Sequence, residues 1–348
     1  NQLMRTIKQI MAIFSIWGKR SEEYHDRLHW TYLFLKGYFG FVDLFRNTLL
    51  LSPLFVVAIG IAAENIKNSP QSLIAEKEFR SLLLLDDKIH SEVDQWIRDN
   101  AKLTEKKSGI PVESLGEQVR IRLNKVEQAY VAFLAKYPKH VEARLAFGSF
   151  YSGIAKLDDA IRQWSEARDL DKQNPVPWNN IGKAYGQKGN ISEAIRHFTK
   201  ASELAPKQPL YYRNLAAMLF AYPDQTARYY LIDRTQVVPK VLQLFKKALI
   251  LDPKNFTLAT DTAMVYLATR PFDAKEAINA WNNALVLAPD GRSKEGVLIH
   301  LARIHAHIGE AKIARELLGD VREPKFNELK NEILNKIDAS SNSSSAVP

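Results

Sequence analysis

The chain has 348 residues, of which 46% are hydrophobic, so it is long enough for two ordinary domains or one long repeat array and too apolar to be disordered throughout. It contains no cysteine, which excludes disulfides and thiolate metal sites. A net charge of +9 would suit an acidic partner, nucleic acid or an anionic membrane, but Lys and Arg are mixed with Asp and Glu along the chain, as on an ordinary solvated surface.

An apolar run at residues 49–63 contains no charged side chain and is preceded by Arg46. It is short for a membrane-spanning helix, which needs about 20 residues, and suits the core of an export signal, which has about 7–15. Residues 1–68 are therefore predicted to be a targeting or anchor segment, with a signal peptide or membrane helix at about 46–63. The protein is expected to be membrane-anchored or exported, and periplasmic if bacterial. Cleavage stays open, as does the alternative of a buried helix in a soluble domain.

A helical lead-in to the remaining chain is predicted at residues 69–122. Apolar residues recur at helical spacing between residues 72 and 100, which indicates one helix. The polar stretch 104–111, with Gly109 and Pro111, is expected to end it.

A repeat unit is clearest at residues 175–208. Two amphipathic helices, at about 178–188 and 191–204, are predicted around Gly189. Small Gly182 and Ala194 would allow the two helices to approach closely, and large aromatic residues would fill the space between them. The positions that define the unit are Trp178, Gly182, Tyr185, Gly189, Ala194, Phe198, Ala201 and Pro206.

This spacing resembles the tetratricopeptide repeat, a helix pair of 34 residues. The resemblance implies an all-α fold, a right-handed superhelical solenoid of antiparallel helix pairs, in an array at 123–325. A terminal helix would follow at 326–338 and a disordered tail at 339–348. The repeat units are placed at about 141–174, 175–208, 209–255 with an insertion at 221–239, 256–291 and 295–325.

Residues with the spacing of an active site are missing from the sequence. There is no glycine-rich phosphate loop and no G-x-S-x-G motif. His300, His305 and His307 are separated by five and two residues, whereas a helical metal pair needs a spacing of three or four. We therefore predict no enzyme activity, no cofactor and no metal site.

A binding groove follows from the resemblance, because first helices line the concave face of stacked helix pairs. The family's groove positions correspond to Asn179, Asn180, Lys183, Arg213 and Asn214, and farther along to Asp261, His300 and Arg303. Asn180 and Asn214 occupy the sixth position of successive units. An amide both donates and accepts hydrogen bonds, so this pair is expected to hold a peptide backbone, with some negative charge favoured by the nearby cations. The alternative is that these polar side chains merely solvate the groove.

The insertion at 221–239 provides a second candidate patch, because Tyr and Arg are enriched at binding hot spots. The alternative is a helical extension that packs back onto the array. The patch consists of Tyr222, Arg228, Tyr229, Tyr230 and Arg234.

The sequence thus predicts a non-enzymatic scaffold, of bacterial and envelope-targeted type, that binds an extended or short helical peptide of another protein. One alternative is the helical arm of an enzyme or envelope assembly machine whose catalytic part is elsewhere. Nucleic-acid binding is not expected, because it requires basic residues clustered on one face.

Overall fold

The structure, a computed structural model, describes residues 70–105 and 108–344. Within these ranges the chain forms fourteen α-helices, two short 3-10 helices and no β-strand, which confirms the all-α prediction. The apolar run at 49–63 lies outside the described residues. Among the helices that are described, none has both the length and the apolar content required to cross a bilayer.

The helices follow the repeat pattern from α3 onward. Those of the clearest repeat, α5 and α6, are Pro175–Gln187 and Ile191–Leu204, so α5 begins three residues before the predicted start. Proline is tolerated in the first turn of a helix, where its missing N–H has no intrahelical partner. In chain order the others are α1 (Pro70–Glu105), α2 (Val112–Lys136), α3 (Val141–Gly153), α4 (Leu157–Leu170), α7 (Pro209–Ala221), α8 (Pro223–Tyr230), α9 (Val237–Leu251), α10 (Phe256–Tyr266), α11 (Ala274–Leu287), α12 (Gly291–His307), α13 (Ala311–Gly319) and α14 (Asn327–Ser344).

The chain divides into two compact units, one ending at Ala184 and the other beginning at Tyr185. The boundary falls inside α5 and therefore inside the repeat predicted at 175–208. In the first unit α1 packs against α2, and α3 packs against α4. Stacked aromatic rings join α2 to α3, with the centroids of Tyr130 and Phe147 4.8 Å apart.

A buried carboxylate ties α1 to α2 in the first unit. Asp86 is 1% exposed, and its Oδ2 accepts a hydrogen bond of 2.6 Å from the Tyr130 hydroxyl. Its Oδ1 lies 2.7 Å from Nδ1 of His90. Burial alone would lower the pKa of His90, but the hydrogen bond and the charge of Asp86 outweigh it, so the pKa is raised above its ordinary value. The cluster therefore favours the charged form of His90.

We expect His90→Gln to destabilise the protein in a pH-dependent way. A histidine with a raised folded-state pKa contributes stability fully below its unfolded pKa of about 6.5, and this contribution is lost as the pH rises through the folded pKa. Urea denaturation should therefore show the largest difference from the wild type near pH 6 and a smaller one near pH 9. The exposed His307, changed to Gln, is the control. A difference that grows with pH would contradict the charged assignment.

Three turns between paired helices have a residue in the left-handed conformation at the same repeat position. Gly189 has φ 76° and Gly309 has φ 84°, and the equivalent position between α3 and α4 holds Ala155 with φ 59°. Each of these residues is followed by one whose N–H reaches back to the preceding helix. Glycine adopts this conformation without strain, whereas a Cβ makes it unfavourable by roughly 1–2 kcal/mol.

Ala155→Gly is therefore expected to raise the free energy of unfolding by up to about 1 kcal/mol, because part of the relieved strain is offset by the greater freedom of glycine in the unfolded chain. Gly189→Ala, the reverse substitution at the equivalent position, is the control and should lower the free energy of unfolding by a similar amount. Both values can be measured by urea denaturation. Loss of stability in Ala155→Gly would show that the turn does not need a glycine.

The second unit is held together by hydrophobic clusters, and the three largest among the described residues are as follows. The first joins α6, α7 and α9 around Phe198, Leu219 and Phe245. The second surrounds Trp281 between α10, α11 and α12, and the third packs α14 onto α12 and α13. The small repeat positions predicted to face the core are fully buried, as Ala194 and Ala201 show.

Two details of the core differ from expectation. Phe198 is 3% exposed, as predicted, but Trp178 and Tyr185 are only partly buried. The Arg168 guanidinium covers the ring of Trp178 at 5.2 Å, and the Tyr185 ring lies 5.3 Å from that of His197. These two aromatic residues therefore lie at the margin of the core and not within it.

The helix at the C-terminus is longer than predicted. Disorder was expected from residue 339, yet α14 continues to Ser344. Ile333 and Ile337 anchor this helix in the third cluster. No Gly or Pro follows them before residue 345, so no residue that breaks helices interrupts it.

Candidate functional site

The predicted groove residues fall in both compact units. Asn179, Asn180 and Lys183 lie on α5 in the first unit, whereas Arg213 and Asn214 lie on α7 in the second. Asn180 and Asn214 therefore belong to different units.

On α5, Asn179 is buried and not part of an open surface. It is 4% exposed, and its Nδ2 donates a hydrogen bond of 3.3 Å to Oδ1 of Asn180. This differs from the predicted role of Asn179 in contacting a ligand, because a side chain that is 4% exposed is not available at the surface. Asn180 and Lys183 are half-buried and lie on one side of the helix, three residues apart.

On α7, Arg213 forms an ion pair with Asp261 of α10. Its Nε donates to Oδ2 of Asp261 at 2.6 Å, and the two side chains are only 13% and 15% exposed. Burial raises the pKa of Asp261, and the charge of Arg213 opposes that rise without cancelling it. From the sequence, Arg213 was expected to provide a positive charge for a ligand. In the structure, Asp261 neutralises the charge of Arg213, which weakens the argument for an acidic ligand at this position.

This ion pair is incompletely satisfied. Arg213 Nη2 is buried and has no hydrogen-bond partner among the described residues. The hydrogen bond to Asp261 uses only Nε and Oδ2, so it is not the bidentate arrangement that arginine and carboxylate can form. Because Nη2 is buried, a further hydrogen-bonding group could reach it only after the Arg213 side chain moves.

Three successive first helices of the second unit present polar side chains at the same repeat position. These are Asn214 on α7, Asp261 on α10 and His300 on α12. His300 stacks on Trp281 with ring centroids 4.1 Å apart, and its Nδ1 lies 3.4 Å from Nη2 of Arg303. Burial, aided by the charge of Arg303, lowers the pKa of His300 to about 3, so the ring is neutral near pH 7. The row thus contains an amide, an ion-paired carboxylate and a neutral imidazole, and we call it the polar row.

The insertion places its predicted residues in two different environments. Tyr222 and Tyr230 pack against the cluster of α6, α7 and α9, and Lys240 Nζ lies 4.1 Å from the Tyr230 ring centroid. Arg228 and Tyr229 are exposed, and Arg234 is exposed but paired with Asp224 at 3.1 Å. The insertion therefore packs back onto the repeats and also leaves part of the predicted patch open.

The described residues contain no group of three or more His, Asp or Glu side chains that could hold a metal ion. The His cluster on α12 is used in local contacts. Besides the stacking of His300, His305 pairs with Glu310, and the ring of His307 lies 5.3 Å from that of Phe272.

Comparisons with known proteins support the repeat assignment. Residues 175–208 match the family model described as "Tetratricopeptide repeat", over the span predicted for the second repeat. A search of curated protein sequences finds no match to this chain.

Among solved structures, the C-terminal part of a TPR repeat-containing protein from Cytophaga hutchinsonii is similar, with a TM-score of 0.51 and 19% identity, covering 74% of this chain and 99% of that one. Pseudomonas aeruginosa pilF has a TM-score of 0.46 and 14% identity, covering 73% and 99%. YrrB, described as a TPR protein with an unusual peptide-binding site, has a TM-score of 0.46 and 15% identity, covering 59% and 96%. At these identities the likeness concerns the helical-repeat fold.

Proposed function

We propose that the protein is a non-enzymatic scaffold that binds an extended segment of another protein across the polar row of its second unit. The incompletely satisfied Arg213–Asp261 pair is the observation that supports this most directly. The repeat match at 175–208 supports an interaction role, because helical repeats use extended surfaces for binding.

The chemistry of the pair favours a peptide backbone. A peptide group offers a carbonyl that accepts a hydrogen bond and an N–H that donates one. After a rotation of the side chains that exposes these atoms, Arg213 Nη2 can donate to such a carbonyl and Asp261 Oδ1 can accept from such an N–H. An isolated carboxylate fits less well, because Asp261 would repel it. Asn214, the next residue along α7, provides a further amide.

The binding test uses a peptide selected from a displayed random library with the full chain as target. Asn214→Ala should weaken its binding about two- to tenfold, since a hydrogen bond contributes about 0.5–1.5 kcal/mol. The matched control is Asn279→Ala, which should have no effect on binding. Asn279 is an exposed asparagine on α11, the second helix of its repeat. Equal affinities for all three proteins would place the peptide elsewhere, and failure to select any peptide would count against a peptide-binding scaffold.

The role of the ion pair can be tested on the same peptide. Each backbone amide is methylated in turn, and each methylated peptide is titrated against the wild type and Asp261→Ala. At one amide the two changes should be non-additive, because both remove the same hydrogen bond. Additive effects at every amide would refute the proposed backbone contact.

The proposal also places the protein at or beyond a membrane, because the apolar run at 49–63 has the composition of an export signal or anchor. Cell fractionation should recover the full chain with membranes or in an exported fraction, and a chain lacking residues 1–68 in the cytosol. Recovery of both chains in the cytosol would contradict this part of the proposal.

A further inference from the structure

The end of helix α8 exposes three residues, namely Arg228, Tyr229 and Leu231, which we call the insertion tip. The ring of Tyr229 meets that of Tyr230 edge to face at 5.0 Å, and its other side is open. Leu231 is 92% exposed and Tyr229 is 36% exposed. Arg228 is exposed as well. An isolated exposed apolar residue is ordinary on a protein surface, so exposure alone does not indicate a binding site.

The segment that carries the insertion tip is firmly held. Thr226 is fully buried, and its hydroxyl donates a hydrogen bond of 3.1 Å to the carbonyl of Leu219. Ala227, Tyr230 and Ile232 pack against the core cluster on either side of the tip. The tip residues therefore project from a fixed platform, and a partner would not need to order them first.

The backbone at Leu231 is unusual for a leucine. Its φ is 54° and its ψ is 43°, the left-handed conformation that ends a helix, and the N–H of Ile232 reaches back to the carbonyl of Ala227 at 3.0 Å. Glycine is the usual residue at such a helix end. The fold thus gains nothing from the leucine side chain, which is strained by its backbone and surrounded by solvent. A strained residue without a structural use is a reason to look for a function.

The charges around the insertion tip indicate the chemistry of a partner. Asp224 is paired with Arg234, and Asp233 accepts hydrogen bonds from Thr235. Within the described part of the chain, no ion pair engages Arg228. The tip therefore combines two apolar groups with one cation that is not neutralised. A single such cation does not make the cluster of basic residues typical of binding to anionic lipid.

We propose that the insertion tip is a second docking surface, sharing no residue with the polar row, and that its occupant is another protein. That protein has an apolar pocket for Leu231 and a carboxylate at the pocket's rim for Arg228. Arginine and tyrosine are enriched among residues that dominate binding energy. The small size of the tip is typical of a weak or transient complex.

The test begins with a photocrosslinker, benzoylphenylalanine, in place of Tyr229 in the full chain, which leaves Arg228 and Leu231 unchanged. It is irradiated in cells that produce the protein, and the crosslinked polypeptide is identified, produced and titrated against the chain without the crosslinker. Leu231→Gly should weaken binding about tenfold or more, as expected for a central anchor. The same variant should be at least as resistant to urea as the wild type, since glycine relieves the left-handed strain. Binding and stability thus change in opposite directions, and a folding defect cannot explain the loss.

The charge contact is tested by a swap. Arg228→Glu should weaken binding of the identified protein, and exchange of one acidic residue of that protein for Arg should restore it. The matched control for Leu231→Gly is Ile250→Gly, on the exposed face of α9, which should bind the identified protein as the wild type does. The proposal is overturned if only lipid or a second copy of this chain is crosslinked, if no crosslink forms, or if Leu231→Gly binds as well as the wild type. These outcomes leave the peptide proposal intact, because its test depends on Asn214 and Asp261 alone.

Discussion

Phe198→Ala is expected to lower the free energy of unfolding of the second unit by about 3–5 kcal/mol, the usual range for removal of a large buried aromatic side chain. Phe198 is 3% exposed and lies in the cluster that joins α6, α7 and α9. The cost includes the lost burial of the ring and the cavity that remains, because surrounding side chains collapse only in part.

Urea denaturation followed by circular dichroism measures this loss. Ile250→Ala is the control, because Ile250 is 79% exposed and surface substitutions usually change stability by less than about 0.5 kcal/mol. In a repeat array the damage should remain partly local, so hydrogen exchange should accelerate most in α6, α7 and α9. A urea denaturation curve equal to that of the wild type would show that the register assigned to this repeat is incorrect.

Arg213→Ala is expected to have an effect of similar size, about 3–5 kcal/mol near pH 7, because it leaves Asp261 as a buried charge without a partner. The loss should depend on pH. The folded-state pKa of Asp261 already lies above its ordinary value through burial, and removal of Arg213 takes away the charge that opposes this rise. A carboxyl with a raised pKa favours folding below its unfolded pKa, and this contribution is lost as the pH rises through the folded value. The penalty of Arg213→Ala should therefore be small near pH 4 and full near pH 7.

The comparison for Arg213 is a surface ion pair. Arg196 and Glu193 are 52% and 36% exposed, so Arg196→Ala should cost less than about 1 kcal/mol. The double variant Arg213→Met/Asp261→Leu should recover most of the stability, since replacement of a buried pair by apolar groups is often neutral. If Arg213→Ala costs no more than Arg196→Ala, the pair is not buried in solution.

The local architecture could be read from the sequence. The bounds of α6 were predicted at 191–204 and are Ile191–Leu204. Gly189 was expected at a turn and has the positive φ that such a turn requires. Phe198 and Ala194 were expected in the core and are buried. These features depend on helical periodicity, turn chemistry and contact within one helix pair, all of which are encoded over about 34 residues.

The candidate site could be read only in part. Repeat positions identified Arg213, Asn214, Asp261 and His300 as members of one face, but not their interactions with one another. The ion pair of Arg213 joins residues 48 positions apart, and the hydrogen bond of Tyr130 to Asp86 joins residues 44 apart. A repeat pattern aligns equivalent positions without specifying which side chains of neighbouring helices meet.

The sequence by itself determined that this chain forms paired helices, where the clearest repeat begins and ends, and that Ala194 and Phe198 enter its core, because each depends on neighbours in the chain. Only the tertiary structure decided that Asn179 is buried, that Arg213 is neutralised by Asp261, and that the insertion buries Tyr230 while exposing Leu231. Burial and charge pairing depend on how helices distant in sequence pack together, and that packing sets whether a polar side chain meets water, a ligand or another side chain.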